Sequence, residues 1–261
     1  MYLDIVELMA FYDQPMGQTV RRLLAHRLRA RWRDVRGMTV AGLGYPAPYL
    51  GTFRSEADRV IALMPAQQGG TDWPAATPCR SVLVMDEHLP LPDLSVDRML
   101  LVHSLESSEA PRPMLREVWR VLKPEGRMLA IVPNRRGLWA RRDNTPFGNG
   151  NPFSRSQIEK TLIASMFAIE DCSFALAIPP LNWRWMWDSA PALERWGMAA
   201  PSFAGVILVE ARKEIGGVLP RGHGARLRVP SRQTVVSPTG SRRIVITAGS
   251  TKTPPVSQTG S

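Results

Sequence analysis

The chain has 261 residues, 44% hydrophobic and 21% charged, with 23 Pro, 20 Gly, 2 Cys and a formal charge of +10. That length suits one large α/β core with appendages, because single cores grow to roughly 250–300 residues before they split. Two cysteines (Cys79, Cys172) exclude a multi-bridge scaffold, four histidines without short spacing (His26, His88, His103, His223) argue against a zinc or other metal site, and no apolar run approaches the ~20 residues of a membrane span.

Residues 1–36 read as an N-terminal helical segment packing on the core. A first helix covers about Tyr2 to Phe11 and a second about Gln18 to Trp32, where Val20, Leu23, Leu24 and Leu28 recur at helical spacing. The opposite face is basic through Arg21, Arg22, Arg27, Arg29, Arg31 and Arg33, which fits either a solvated face or a nucleic-acid patch. Asp4 and Glu7 follow Met1 closely, so no positively charged secretory leader is expected, and the chain reads as soluble and cytoplasmic.

Residues 37–214 read as the main domain. The apolar runs Met38–Leu43, Val60–Met64, Val82–Met85, Met99–Val102 and Met128–Val132 are short and bounded by Gly, Pro or charge. Such runs, without polar alternation, predict strands buried on both faces of a parallel sheet. A helix over Pro113–Leu122 separates the fourth and fifth, with Leu115, Val118, Trp119 and Leu122 on one face and Gly126 as its C-terminal turn residue. Ser154 and Gln157 have capping-box spacing and predict a helix from Arg155 to Ser165. Phe167–Ile178 and Phe203–Ala211 read as the last two strands. The fold expected is a doubly wound, mostly parallel, seven-stranded sheet, whose ligands bind beyond the carboxyl ends of the strands.

Residues 215–261 hold seven basic residues and no acid, which leaves +3 for residues 1–214. This segment is rich in Gly, Pro, Ser and Thr and reads as a disordered basic tail, either a plain solvated extension or an anchor for nucleic acid or another anionic surface.

Chemistry is expected just after the strands. Ala41-Gly42-Leu43-Gly44-Tyr45-Pro46 is a glycine-containing turn after the first strand, where backbone can approach a ligand closely. Three later segments follow in order: Leu89-Pro90-Leu91-Pro92-Asp93-Leu94-Ser95-Val96-Asp97, then His103-Ser104-Leu105-Glu106, then Glu117-Val118-Trp119-Arg120-Val121-Leu122-Lys123-Pro124-Glu125-Gly126. With that series, residues 40–177 resemble the class I S-adenosylmethionine-dependent methyltransferases of the type 11 kind. The resemblance implies a Rossmann-like methyltransferase fold, S-adenosyl-L-methionine as cofactor and an unidentified methyl acceptor. It places Gly42, Gly44, Asp86, Glu87 and His103 at the cofactor cleft. It also departs from the family pattern at cofactor contacts. Val40 stands where the first acid would be, Pro46 at the third glycine, Met64 at the ribose-binding acid and Met85 at the adenine-binding acid, with Asp86 one place along. Losing the ribose carboxylate removes two charge-assisted hydrogen bonds of ~1.5–3 kcal/mol each.

His103, at the end of the fourth strand, is the candidate base, with a packing role as the alternative. Arg135, Arg136, Arg141 and Arg142 around Trp139 suit a phosphate-bearing or base-stacking acceptor, or simply a solvated turn. Trp183, Trp185, Trp187 and Trp196 suit an acceptor lid, an oligomer contact or core packing. Two functions of different class follow: methyl transfer, or a non-catalytic methyltransferase-fold protein that serves as a binding or regulatory partner. A nucleic-acid-binding role through the arginine helix and tail is compatible with either.

Overall fold

The computed structural model describes residues 2–75, 78–180 and 204–215. The chain divides into Met1–Gly217 and Val218–Ser261, and the second unit, with the basic tail, lies outside the described residues, as do the four tryptophans of the 181–203 segment.

Seven strands form one sheet in the order β3-β2-β1-β4-β5-β7-β6. They are β1 (Thr39–Gly44), β2 (Arg59–Pro65), β3 (Ser81–Val84), β4 (Val96–Val102), β5 (Leu122–Pro133), β6 (Phe167–Ala175) and β7 (Val206–Lys213). The first five are mutually parallel, whereas β7 runs antiparallel to both β5 and β6. The inner strands carry apolar residues on successive positions because both faces are covered. One face packs Leu100, Val102, Leu129 and Ile131 against the N-terminal helices α1 (Ile5–Asp13) and α2 (Pro15–Arg31). The other packs Met99, Leu101, Met128 and Ala130 against α4 (Pro111–Val121) and α5 (Arg155–Ala164).

Local chemistry sets the helix ends. The Ser154 hydroxyl accepts from the Gln157 amide while the Gln157 side chain accepts from the Ser154 amide, as the capping-box spacing predicts. At the end of α4 the left-handed residue is Glu125 (φ +61°), not the expected Gly126, because β5 begins directly at Leu122 and the bend falls inside it. After β1 comes only a one-turn helix, α3 (Ala47–Leu50), continued by a 3₁₀ turn over Gly51–Phe53. Among the described residues no helix joins β2 to β3, so the edge strand β3 lacks the usual cover.

Two arginines of α2 are engaged by acids of the fold. Arg29 pairs with Glu56, and Arg31 reaches Asp171, the Ser173 hydroxyl (2.6 Å) and Glu210 (3.9 Å), so two of the six arginines of the basic face are held by acids of the same chain. No helix among the described residues is long and apolar enough to cross a membrane.

Candidate active site at the carboxyl ends of β1, β3 and β4

The strand order reverses at β1, between β2 and β4, which puts the cleft where β1 turns away from the sheet. Gly44 has φ +96°, and a Cβ there would be driven into the Val102 carbonyl and lie 2.9 Å from the Ser104 Cβ. The next amide, Tyr45 N, donates to Val102 O at 2.8 Å, so the turn is stitched to the end of β4. Pro46 folds back so that its ring sits over Gly42, with its Cγ 2.8 Å from where a Cβ would be. The ring of Pro46, where the resemblance would put a third glycine, thus fills the space beside Gly42.

At the end of β4, His103 is held in the left-handed region (φ +53°), an uncommon conformation for a residue with a Cβ and one that recurs at functional sites. Its Nε2 lies 2.9 Å from the Tyr12 hydroxyl, which lies 2.9 Å from the Tyr49 hydroxyl. Its Nδ1 lies 3.4 Å from Glu106 Oε1. With the ring proton on Nδ1, facing the carboxylate, Nε2 is left to accept from Tyr12. Phe147 packs 4.9 Å from the imidazole, centroid to centroid. All four side chains are buried.

Glu106 is the unusual member. It is 1% exposed, and neither carboxylate oxygen has a hydrogen-bond donor. Close by, the Ser104 hydroxyl and the Gln68 carbonyl oxygen are also buried without partners, although Gln68 donates through Nε2 to Gly44 O at 3.1 Å. An unsatisfied buried polar group costs about 1–3 kcal/mol and a charged one more. Glu106→Gln, which removes the charge at nearly constant volume, is therefore expected to raise stability by about 1–2 kcal/mol in chemical denaturation at pH 8. A loss of stability would show that the carboxylate is needed to hold His103.

Asp86 follows β3. Its Oδ2 accepts from Tyr2 OH (2.7 Å) and Ser108 Oγ (2.9 Å). Glu87 is half-buried beside it. Met64, where the resemblance would put a ribose-binding acid, is buried, and its sulfur meets the Thr71 amide at 3.5 Å. Across all of this lies the N-terminal segment: Tyr2 on Asp86, Ile5 N on Gln68 O (2.9 Å) and Tyr12 on His103. Burial pushes the Tyr12 hydroxyl far above its ordinary range, with the neighbouring Tyr49 adding to the shift. Burial and then Asp86 do the same for Tyr2.

The structure thus brings Gly42, Gly44 and His103 together, with Asp86 joined to them through Tyr2 and Ser108. Sequence reasoning missed Tyr2, Tyr12, Tyr49, Gln68 and Glu106. Only Glu106 left a local signal, three residues after His103. The aromatic mouth expected after β5 is corrected: Trp139 is fully buried, donates to Ile178 O at 2.7 Å and packs edge-on against Phe147. It cannot stack on an acceptor.

Parallel β1–β5, an antiparallel β7 and a switch point at β1 make a doubly wound, mostly parallel sheet of the Rossmann-like kind. Residues 41–130 match the family model described as "Methyltransferase domain". Among solved structures, a chain of the complex between the Haloferax volcanii Trm112 methyltransferase activator and its methyltransferase is 17% identical, covers 82% of this chain and 100% of its own, and superposes with a TM-score of 0.60. An S-adenosylmethionine-dependent methyltransferase from Mesorhizobium loti is 18% identical over 72% of this chain and 96% of its own, TM-score 0.51. Geranyl diphosphate C-methyltransferase from Streptomyces coelicolor, solved with S-adenosyl-L-homocysteine, is 16% identical over 73% and 76%, TM-score 0.52. At these identities the likeness is one of fold. A search of curated proteins returns no match.

Proposed function

We propose that the protein transfers a methyl group from S-adenosylmethionine to an acceptor that enters over His103. The observation that carries this reading is the set of unsatisfied buried acceptors at the cleft floor, Gln68, Ser104 and Glu106, beside the Gly42–Gly44 turn. Their unused capacity suits a ligand bearing an ammonium and hydroxyl donors, as an aminoacyl nucleoside does. Asp86 would take the adenine amino group, and the backbone of Gly42 and Gly44 would line the amino-acid end. When bound, the cofactor supplies an already activated sulfonium methyl, so the chain's main tasks are alignment and exclusion of water. Tyr12, Phe11 and Phe147 exclude water above His103. His103 Nε2 would receive a proton from the Tyr12 hydroxyl that lies on it as Tyr12 takes the acceptor's proton, and Glu106 sits behind Nδ1 to stabilise the imidazolium that results.

A bound ligand at 100 times its dissociation constant adds ~2.7 kcal/mol. S-adenosylhomocysteine at saturating concentration should therefore raise the melting midpoint by roughly 5–10 °C. No shift with millimolar S-adenosylhomocysteine would overturn the reading. Specific observations would then favour a non-catalytic methyltransferase-fold protein that binds or regulates a partner: the Pro46 ring over Gly42, Met64 in place of a ribose carboxylate, and Tyr2 seated on Asp86.

A further inference from the structure

The floor of the cleft is shut. Gly42, Gly44, Gln68, Ser104 and Glu106 are all buried and His103 is 4% exposed, so a nucleoside reaches them only after something moves. The walls do not supply that movement. Tyr45 N is tied to Val102 O, and both β1 and β4 lie inside the sheet. Phe147, above His103, is held by its own loop, where Gly148 N donates to Thr145 O (3.0 Å) and Asn151 N to Glu106 O (2.7 Å). Over the Asp86 end of the floor lies α1 with the residues that lead into it.

The two ends of α1 are held in different ways. At its last turn, a Cβ on Gly17 would lie 2.0 Å from the Phe11 carbonyl oxygen and 2.7 Å from the Tyr12 Cα, so α2 closes on α1 backbone against backbone. Gln14 N donates to Phe11 O (3.2 Å), Gln18 Nε2 donates to Asp13 O (3.0 Å), and the Tyr12 ring is wedged among Phe11, Tyr45, Tyr49 and His103. At the other end, Tyr2 OH donates to Asp86 Oδ2, Ile5 N donates to Gln68 O, and Ile5 Cγ2 rests where a Cβ on Gly69 would be only 3.0 Å away. The outer face of α1 gains nothing from closure, since Val6 and Met9 are 67% and 38% exposed. Closure also leaves Gln68 Oε1, Ser104 Oγ and both Glu106 oxygens without partners, which weakens the closed form.

We infer that α1 is a hinged strap, pivoting at Phe11–Tyr12 and latched by the Tyr2 hydroxyl on Asp86, and that an adenine nucleoside enters by replacing that hydroxyl. The inference rests on the methyl-transfer reading, because it takes Asp86 as the partner of the adenine amino group. The phenol donates to the carboxylate in the closed form and an amino N–H does so in the liganded one, while Ser108 Oγ holds the same oxygen from the floor (2.9 Å). Tyr12 remains on His103 because the pivot lies there. A ligand that must displace the latch binds more weakly than it binds the open cleft, in proportion to the fraction of molecules open.

Calorimetric titration of the full chain with S-adenosylhomocysteine tests the latch, together with amide hydrogen exchange. Tyr2→Phe keeps the ring and removes the hydroxyl, so it should tighten binding about 10-fold, the worth of a hydrogen bond to a charged group. Ser108→Ala removes the floor-side partner of the same carboxylate and should weaken binding. Without ligand, the Ile5 amide of Tyr2→Phe should exchange roughly tenfold faster than in the wild type, with the α2 amides unchanged. In the wild type, S-adenosylhomocysteine should speed exchange at Ile5 and leave Tyr12 protected, the reverse of ordinary protection by a ligand. Equal affinity of Tyr2→Phe and wild type, tighter binding by both variants, or slower exchange at Ile5 on binding overturns the strap and leaves the cofactor reading standing. No binding by either wild type or Tyr2→Phe overturns the cofactor reading and the strap with it. The wild-type exchange result decides the matter even if a variant fails to fold.

Discussion

Above pH 10 the folded protein should lose about 5 kcal/mol of stability for each further pH unit, and all four tyrosines should ionise in one cooperative step. The chain contains four tyrosines, and every one is buried with its hydroxyl pushed up: Tyr2, Tyr12 and Tyr49 far above the ordinary range and Tyr45 to about 12. Burial is the largest cause in each case. A group whose folded-state pKa is raised contributes stability that is complete below its unfolded value, near 10, and is lost as pH climbs toward the folded value. Each such group costs 1.36 kcal/mol per pH unit in that window, and four together give the slope stated, ~5 kcal/mol. Lys213 acts in the opposite sense, since burial lowers its pKa, but its contribution ends near the unfolded lysine value of ~10.4. The measurement is tyrosinate absorbance recorded together with far-ultraviolet circular dichroism through an alkaline titration. Two or more tyrosines ionising near pH 10 with secondary structure intact would show that the aromatic roof over His103 is open to water.

Gly44→Ala should cost about 3–5 kcal/mol, lowering the melting midpoint by roughly 8–15 °C. Two separate costs act at this position. The backbone sits at φ +96°, which an alanine adopts only with strain, and the added methyl meets the Val102 carbonyl and the Ser104 Cβ. Neither neighbour can move cheaply: Val102 O already accepts from Tyr45 N, and β4 is clamped between β1 and β5. Gly51→Ala is the matched control. Its backbone is helical (φ −53°), and an added Cβ meets nothing within 4 Å, so no loss is expected. A near-neutral Gly44→Ala would mean that the β1 turn is looser than its geometry indicates, with room beside it that a ligand could use.

The segments that carry the family resemblance prove to be scaffold. Glu117 Oε2 accepts from Leu89 N (2.9 Å), and the Arg120 side chain donates to Glu117, Asp93, Leu89 O and Leu91 O. Arg120 in turn holds the Glu117 carboxyl below its usual range. Asp97 joins the Thr39 amide (2.9 Å) to the Lys123 ammonium (2.7 Å), tying the start of β1 to the start of β5. These residues are readable because each works within a short stretch and on backbone that any member of the fold must fix in the same way. The positions that the resemblance would give to the cofactor read Val40, Pro46, Met64 and Met85 in this chain.

Apolar runs, turn formers and one capping box were enough to place the five parallel strands, α4 and α5, because those signals are local and periodic. His103 and the Gly42–Gly44 turn were likewise readable from their places at strand ends. The partners of His103 were not. Tyr12 lies 91 positions away, and Tyr2 lies 84 positions from Asp86. Nothing in the spacing of α1 marks a hydroxyl that will roof a cleft rather than face solvent. Only the packing of that helix across the strand ends decides it, since hydrogen-bond partners are chosen by proximity in the folded chain. The same holds for the exposed edge of β3, where the direction of each backbone amide follows from the sheet register alone.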